Sequence, residues 1–281
     1  MQDRLRYWLA IGNDVRREAR SDHAVIIAAG VAFYAVLALL PAMFIAVTLY
    51  GLFANVADAE QQIDGLLSVL PAESAALLTA QLSSIASGSS AGLSVGFALS
   101  ITAFLWTVSN ATRAMIGAVK IAYDQEEHRS ILESRAVAIG LTFLVIGGGV
   151  LVLAMIAVVP VVLQRFDPTD AIVTIGNTRW VAIAGGAVLV IGLLYRYAPP
   201  LRPDGWRDVL PGAVLATVLW SGASIGFSVY VSSYGKYNAT YGVLGAAVIL
   251  LLWFWISSLS VILGAEFNDA IVRLRKEDRK P

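Results

Sequence analysis

The sequence predicts an all-α, polytopic membrane bundle of six transmembrane helices carrying an outer amphipathic helical hairpin. Three observations predict it. Six apolar runs are long enough to cross a bilayer. Hydrophobic residues make up 58% of the 281 and charged residues 14%, with a mean hydropathy of +0.72. Lys and Arg are nearly absent from every second gap between the runs. A soluble domain is about 45–50% apolar and about 25% charged. The excess here is what a surface solvated by acyl chains requires.

The chain is expected to form one integral membrane domain over 1–281. Residues 1–24 are polar, and the apolar run after them is too long for a cleaved signal peptide. A helix needs about 20 apolar residues to cross roughly 30 Å of hydrocarbon. Spans are predicted at 25–53, 93–118, 136–163, 180–198, 210–233 and 241–267. The runs are continuous, which argues against the alternation of a strand barrel. Pro41 removes a backbone hydrogen bond inside the first span. Gly147, Gly148 and Gly149 sit mid-span in the third. Gly92/Gly96 and Gly222/Gly226 have the small-xxx-small spacing of close helix contacts.

Between the first two spans, 54–92 is not a plain loop. Ile63, Leu66, Leu67 and Leu70 recur at helical spacing, as do Leu78, Leu82 and Ile85. Pro71 suits the first turn of a second helix. The expectation is an amphipathic hairpin on the outer face, with a re-entrant hairpin as the alternative. Residues 268–281 form a basic tail.

Orientation follows from Lys and Arg. Residues 1–24 hold five, 119–135 three, 196–209 three and the tail five. The alternate gaps hold none in 54–92, Arg165 and Arg179 in 164–179, and Lys236 in 234–240. Sixteen against three predicts both termini in the cytoplasm.

The second span is interrupted by polar residues. Thr102, Trp106, Asn110, Arg113 and Gly117 step by four, four, three and four, which places them on one stripe. The first four are candidates for a substrate pathway. An ionisable group at membrane depth costs about 2.5–3.5 kcal/mol by insertion scales and usually faces protein or water. Arg113 either snorkels to the interface or has a buried partner. Glu266, at similar depth in the last span, is the candidate partner for an ion pair. Tyr230, Tyr234, Tyr237 and Tyr241 fit an aromatic belt at the outer boundary.

Several chemistries lack residues. There is no cysteine, and the two histidines, His23 and His128, lie far apart in sequence. No carboxylate or histidine cluster has metal-ligand spacing. No phosphate-binding or dinucleotide fingerprint occurs. The expectation is no enzyme, no metal and no cofactor. The polar segments are too short for a basic nucleic-acid-binding domain, so membrane lipids are the expected partners, with a homo-oligomer or an envelope protein as the protein partner.

Five stretches carry a resemblance. They are Ala28-Ala29-Gly30-Val31-Ala32-Phe33-Tyr34 with Pro41 and Tyr50-Gly51-Leu52; Leu105-Trp106-Thr107-Val108-Ser109; Tyr123-Asp124 with Glu127-His128-Arg129; Tyr237-Asn238-Ala239-Thr240-Tyr241-Gly242; and Leu263-Gly264-Ala265-Glu266-Phe267-Asn268. Together, from about residue 20 to 270, they resemble the YihY/BrkB family of bacterial inner-membrane proteins. Lys120 stands where that family is expected to have Asn. The resemblance implies a six-helix inner-membrane protein. It also implies that the older label, ribonuclease BN, is a misassignment, and that members are linked to moving lipids across the inner membrane. The expected function is therefore transporter-like movement of a lipid or other amphipathic substrate between leaflets. The alternative is a non-catalytic structural or interaction protein of the cell envelope.

Overall fold

The computed structural model describes residues 2–53, 90–126, 129–163, 170–201, 203, 205–234 and 238–277. Seven helices occupy them: α1 (Gln2–Ser21), α2 (Ala24–Phe53), α3 (Ser90–Ala122), α4 (Ile131–Leu163), α5 (Asp170–Tyr197), α6 (Trp206–Tyr234) and α7 (Asn238–Glu277). No strand occurs among the described residues. Each of α2 to α7 contains one run apolar and long enough to span a membrane, and these six match the six predicted spans. The predicted outer hairpin falls almost wholly on residues 54–89, outside the described residues. So do Tyr237, Glu127 and His128 of the motifs.

The six long helices form a ring in chain order, α2 to α7, which closes where α7 packs on α2. The end of α3 also reaches across to α7. An even number of spans puts both chain termini at one end, and α1 lies there against α7 and α2.

Residues 1–24, expected only as a polar segment, form amphipathic α1 over most of their length. Its apolar side is small. Ile11 is buried with Ala270 and Ile271, and Trp8 stacks on Phe267 at 6.2 Å between centroids. The helix turns into α2 through His23, whose φ of 56° sits in the left-handed region, and whose Nδ1 lies 2.7 Å from the Ser21 carbonyl. Pro41 does not break α2, which runs unbroken through it. The start of α4 is set by a capping box. The Ser130 amide donates to Glu133 Oε2 at 3.1 Å, and the Glu133 amide donates to Ser130 Oγ at 3.3 Å.

Burial concentrates at the terminal end. The largest cluster joins Ile116, Val119 and Tyr123 of the α3 end, Leu141 of α4, Leu194 and Tyr195 of α5, Val209 and Ala213 of α6, and Ala265 of α7. A second joins Ala24 and Ala28 to Ala118 and Ile262. Elsewhere the ring leaves large apolar side chains exposed, among them Leu40, Leu99, Trp106, Phe143, Val181 and Ile225. Lipid solvates such residues without cost, so only the terminal end needs a water-excluding core.

The expected Gly222/Gly226 contact is not made, since a Cβ at either position meets nothing within 4 Å among the described residues. The close crossing lies elsewhere, at Gly212 of α6 and Gly264 of α7. A Cβ on Gly264 would stand 2.5 Å from the Gly212 carbonyl oxygen.

Candidate functional site

Two polar constructions occupy the terminal end. The first is a buried lock. Asn268 of α7 accepts a hydrogen bond from the Gly212 amide at 2.6 Å through Oδ1. Its Nδ2 donates to the Val209 carbonyl at 3.0 Å and to Tyr123 Oη at 3.1 Å. One amide thereby ties α7 to α6 and to the end of α3, at the crossing that the glycines permit. Tyr195 of α5 donates its hydroxyl to the Val261 carbonyl. Burial pushes the Tyr123 phenol well above its ordinary value, partly offset by the Asn268 hydrogen bond. It therefore stays protonated.

Beside the lock, Arg273 gathers carboxylates from three segments. Its Nε lies 2.6 Å from Asp269 Oδ2, close in distance but off-line for a hydrogen bond. Its other nitrogens reach Glu18 at 3.3 Å, Asp124 at 3.5 Å and Asp14 at 3.8 Å. This latches α1 to α7 and to the turn after α3. The hydrogen bond from Arg17, with help from Arg273, holds the Glu18 carboxyl below its ordinary range. Burial pushes Asp22 up, and the Asp124 and Glu18 charges push it further.

The second construction is a cleft of about 680 Å³ between α3 and α4. Ser109, Arg113, Ile116 and Lys120 line it from α3, at steps of four, three and four. Ile131, Ser134, Arg135, Val137, Ala138, Ile139 and Thr142 line it from α4, and Arg129 closes the end. Arg129 donates to the carbonyls of Tyr197 at 3.1 Å and Ala198 at 3.3 Å, and also to that of Pro199. It thus caps the C-terminus of α5, where the helix dipole favours a cation. Gln125 and Leu201 exchange two hydrogen bonds, at 2.8 and 3.2 Å, and pin the same loops together.

Of the four proposed pathway residues, Arg113 lines this cleft. Asn110 is half-buried and outside its lining; Ser109, one residue earlier, takes that place. Trp106 is exposed on the apolar surface. Thr102 is exposed and its hydroxyl returns to the Ala98 carbonyl of its own helix at 2.8 Å. The expected ion pair between Arg113 and Glu266 is not formed. Arg113 is exposed on the cleft side. Glu266 is 1% exposed, and neither of its carboxylate oxygens has a hydrogen-bond partner among the described residues. The charges around Glu266 are those of Asp22, Asp269, Glu18 and Arg273.

Of the motif residues, Tyr123, Gly264 and Asn268 meet in the lock. Gly30 is exposed with open space around it. Phe33 is exposed and meets Tyr34 edge-on at 5.5 Å between centroids. Asn238, Thr240, Tyr241 and Gly242 start α7, and their side chains lie outside the described residues. Sequence reasoning did not collect Ser109, Lys120, Arg129, Ser134 and Arg135 as one site. The signal was present in the helical register of α3 and α4, but only the pairing of the two helices makes it readable.

Fold and site together define a polytopic helical membrane protein with a basic cleft at the terminal end of its bundle. The profile of the family described as "Virulence factor BrkB" matches residues 15–281. The chain belongs to that family. It is similar to the "Putative ribonuclease-like protein YfkH" of Bacillus subtilis (strain 168), at 35% identity over 187 residues, 63% of this chain and 66% of that protein. It is also similar to proteins described as "UPF0761 membrane protein". The one from Tolumonas auensis is 39% identical over 28% of this chain and 26% of its own length. The one from Xanthomonas oryzae pv. oryzae (strain PXO99A) is 39% identical over 31% and 20%. The chain thus spans less than two thirds of the length of each of these curated relatives. No solved structure matches it.

Proposed function

We propose that this protein moves an amphipathic lipid between the leaflets of the bacterial inner membrane, with its terminal end in the cytoplasm and no covalent chemistry of its own. The observation that carries this reading is the α3–α4 cleft. Arg113 lies more than two helical turns inside the end of α3 at Ala122, yet it lines a space that also holds Ile116, Val137 and Ile139. A cation at that depth is costly unless a cavity or partner accommodates it. A wall that interleaves cations with Ile116, Val137 and Ile139 suits a ligand with an anionic head and an apolar tail. The bias of Lys and Arg supports the orientation. Among the described residues, no group of histidine and acidic side chains is placed to hold a metal.

The test is lipid exchange in proteoliposomes holding a labelled lipid. Wild type is expected to speed exchange between leaflets, and Ser109→Trp, which fills the cleft, to abolish it while leaving the bundle folded. The same purified protein is expected to leave RNA intact. An absence of exchange for every phospholipid tried, with or without an ion gradient, would replace this reading with that of an envelope interaction protein.

A further inference from the structure

We infer that the α3–α4 cleft binds the phosphate of an anionic headgroup, with the Arg113 and Arg135 guanidiniums as its ligands. The inference names the substrate class for the cleft, and it rests on the lipid reading above for the source of that phosphate.

Four cationic side chains line the cleft, and no carboxylate is among its described lining residues. Two acids of the flanking segments are engaged elsewhere. Glu133 closes the capping box with Ser130, and Asp124 faces Arg273. Arg129 is committed to the carbonyls at the end of α5. Arg113 and Arg135 are both exposed in the cleft, and among the described residues neither meets a carboxylate. Guanidinium presents a planar fork of donors that matches phosphate oxygens.

A second observation is independent of charge. The Ser134 hydroxyl is shielded from solvent, lines the same cleft and has no hydrogen-bond partner among the described residues. Leaving a buried polar group unsatisfied is unfavourable, and a ligand oxygen beside Arg135 would satisfy it. Thr142 differs: its hydroxyl is already spent on the Ala138 carbonyl at 2.7 Å. The volume, about 680 Å³, lies within the roughly 300–1,000 Å³ of small-molecule sites. The aliphatic wall favours a phosphate that arrives attached to a glycerol backbone and acyl chains over a free one.

The experiment uses the full chain in nanodiscs of phosphatidylcholine doped with phosphatidylglycerol. Lipid retained after transfer to detergent is counted by native mass spectrometry. Wild type is expected to retain phosphatidylglycerol in preference to phosphatidylcholine. Arg113→Gln and Arg135→Gln are each expected to weaken that retention about tenfold, the low end for a hydrogen bond to a charged group. Arg207→Gln, on an exposed residue outside the cleft, is expected to leave it unchanged. Arg113→Lys retains the charge but not the fork and is expected to lose a few-fold; it also serves if Arg113→Gln folds poorly. Inorganic phosphate is the second arm. Its failure to displace the lipid at millimolar concentration supports the headgroup source, whereas phosphate binding without lipid retention overturns it. Equal retention of both lipids by wild type, or indifference to both Arg variants, overturns the site. Selective retention without exchange in proteoliposomes refutes translocation alone. Exchange that is blind to headgroup and to these variants refutes this inference alone.

Discussion

Placing a methyl group at the α6–α7 crossing tests the packing that holds the terminal end together. In Gly264→Ala the new Cβ would stand 2.5 Å from the Gly212 carbonyl oxygen, 2.5 Å from Tyr195 Oη and 2.8 Å from Ala216 Cβ. Non-bonded heavy atoms are comfortable at about 3.5–4.0 Å, so α6 and α7 must part by about 1 Å. The first obstacle is backbone, which no rotamer change relieves. Overpacking of this kind costs about 1–3 kcal/mol. Parting the helices also stretches the Gly212–Asn268 and Tyr195–Val261 hydrogen bonds, each worth about 1 kcal/mol net. The expected loss is about 2–4 kcal/mol, or about 30- to 700-fold in the ratio of folded to unfolded protein. Reversible unfolding by SDS in mixed micelles, followed by tryptophan fluorescence, measures it. Gly222→Ala is the control, because a Cβ there meets nothing within 4 Å among the described residues, and a surface change of that kind stays within about 0.5 kcal/mol. If Gly264→Ala unfolds at the same SDS fraction as Gly222→Ala, the crossing is not as close as described and the argument fails.

Three further outcomes follow from the same end of the molecule. Asn268→Ala leaves the Gly212 amide without its partner, so the same unfolding measurement should show a loss of about 1–3 kcal/mol; an unchanged curve would remove Asn268 from the lock. Arg273→Ala should release α1, seen as faster amide exchange over residues 8–21. Acid should act similarly on Glu18: its folded value is depressed below 4.5, so its contribution is present above that pH and is lost as pH falls through the folded value. Exchange in α1 that ignores both the substitution and acid would show that apolar contacts alone hold the helix. Finally, Arg113→Ala and Glu266→Ala should be additive in folded yield, because the two groups share no contact; a double variant milder than the sum would restore the pair.

Much of the fold was legible because lipid imposes its requirement locally. A helix that must span hydrocarbon has to be apolar for its whole length, so all six spans could be read from the chain alone. Helix α1 was not, because its buried side consists of few residues and its stability comes from Trp8, Ile11 and Arg273 contacts made by α7. The glycines show the same division. Gly222 and Gly226 have the spacing of a contact and make none among the described residues, whereas Gly212 and Gly264 lie on different helices and are matched only by the fold. The cleft was half-legible. The α3 stripe contained Arg113, but Ser109 and not Asn110 faces α4, because the direction of a helix face is decided by which neighbour it packs against.

The failure of Arg113 to pair with Glu266 has the same origin and carries a consequence for the cleft. Equal depth in a bilayer does not fix direction around a helix axis. At about 100° per residue, Ser109 lies opposite Ala118 on α3. Ala118 packs with Ile262 of α7 in one buried cluster, and Val119 packs with Ala265 in the other. Ser109, Arg113 and Lys120 therefore point away from α7 and towards α4. Apolar side chains of α3 and α7 separate Arg113 from Glu266. A favourable ion pair would have drawn the two together and cancelled them. The acids latch α1, while Arg113 and Arg135 meet no carboxylate among the described residues and are placed to meet a ligand from outside the bundle. Ala118 and Val119 thus pack α3 against α7, while Arg113 on the other face is left available for binding.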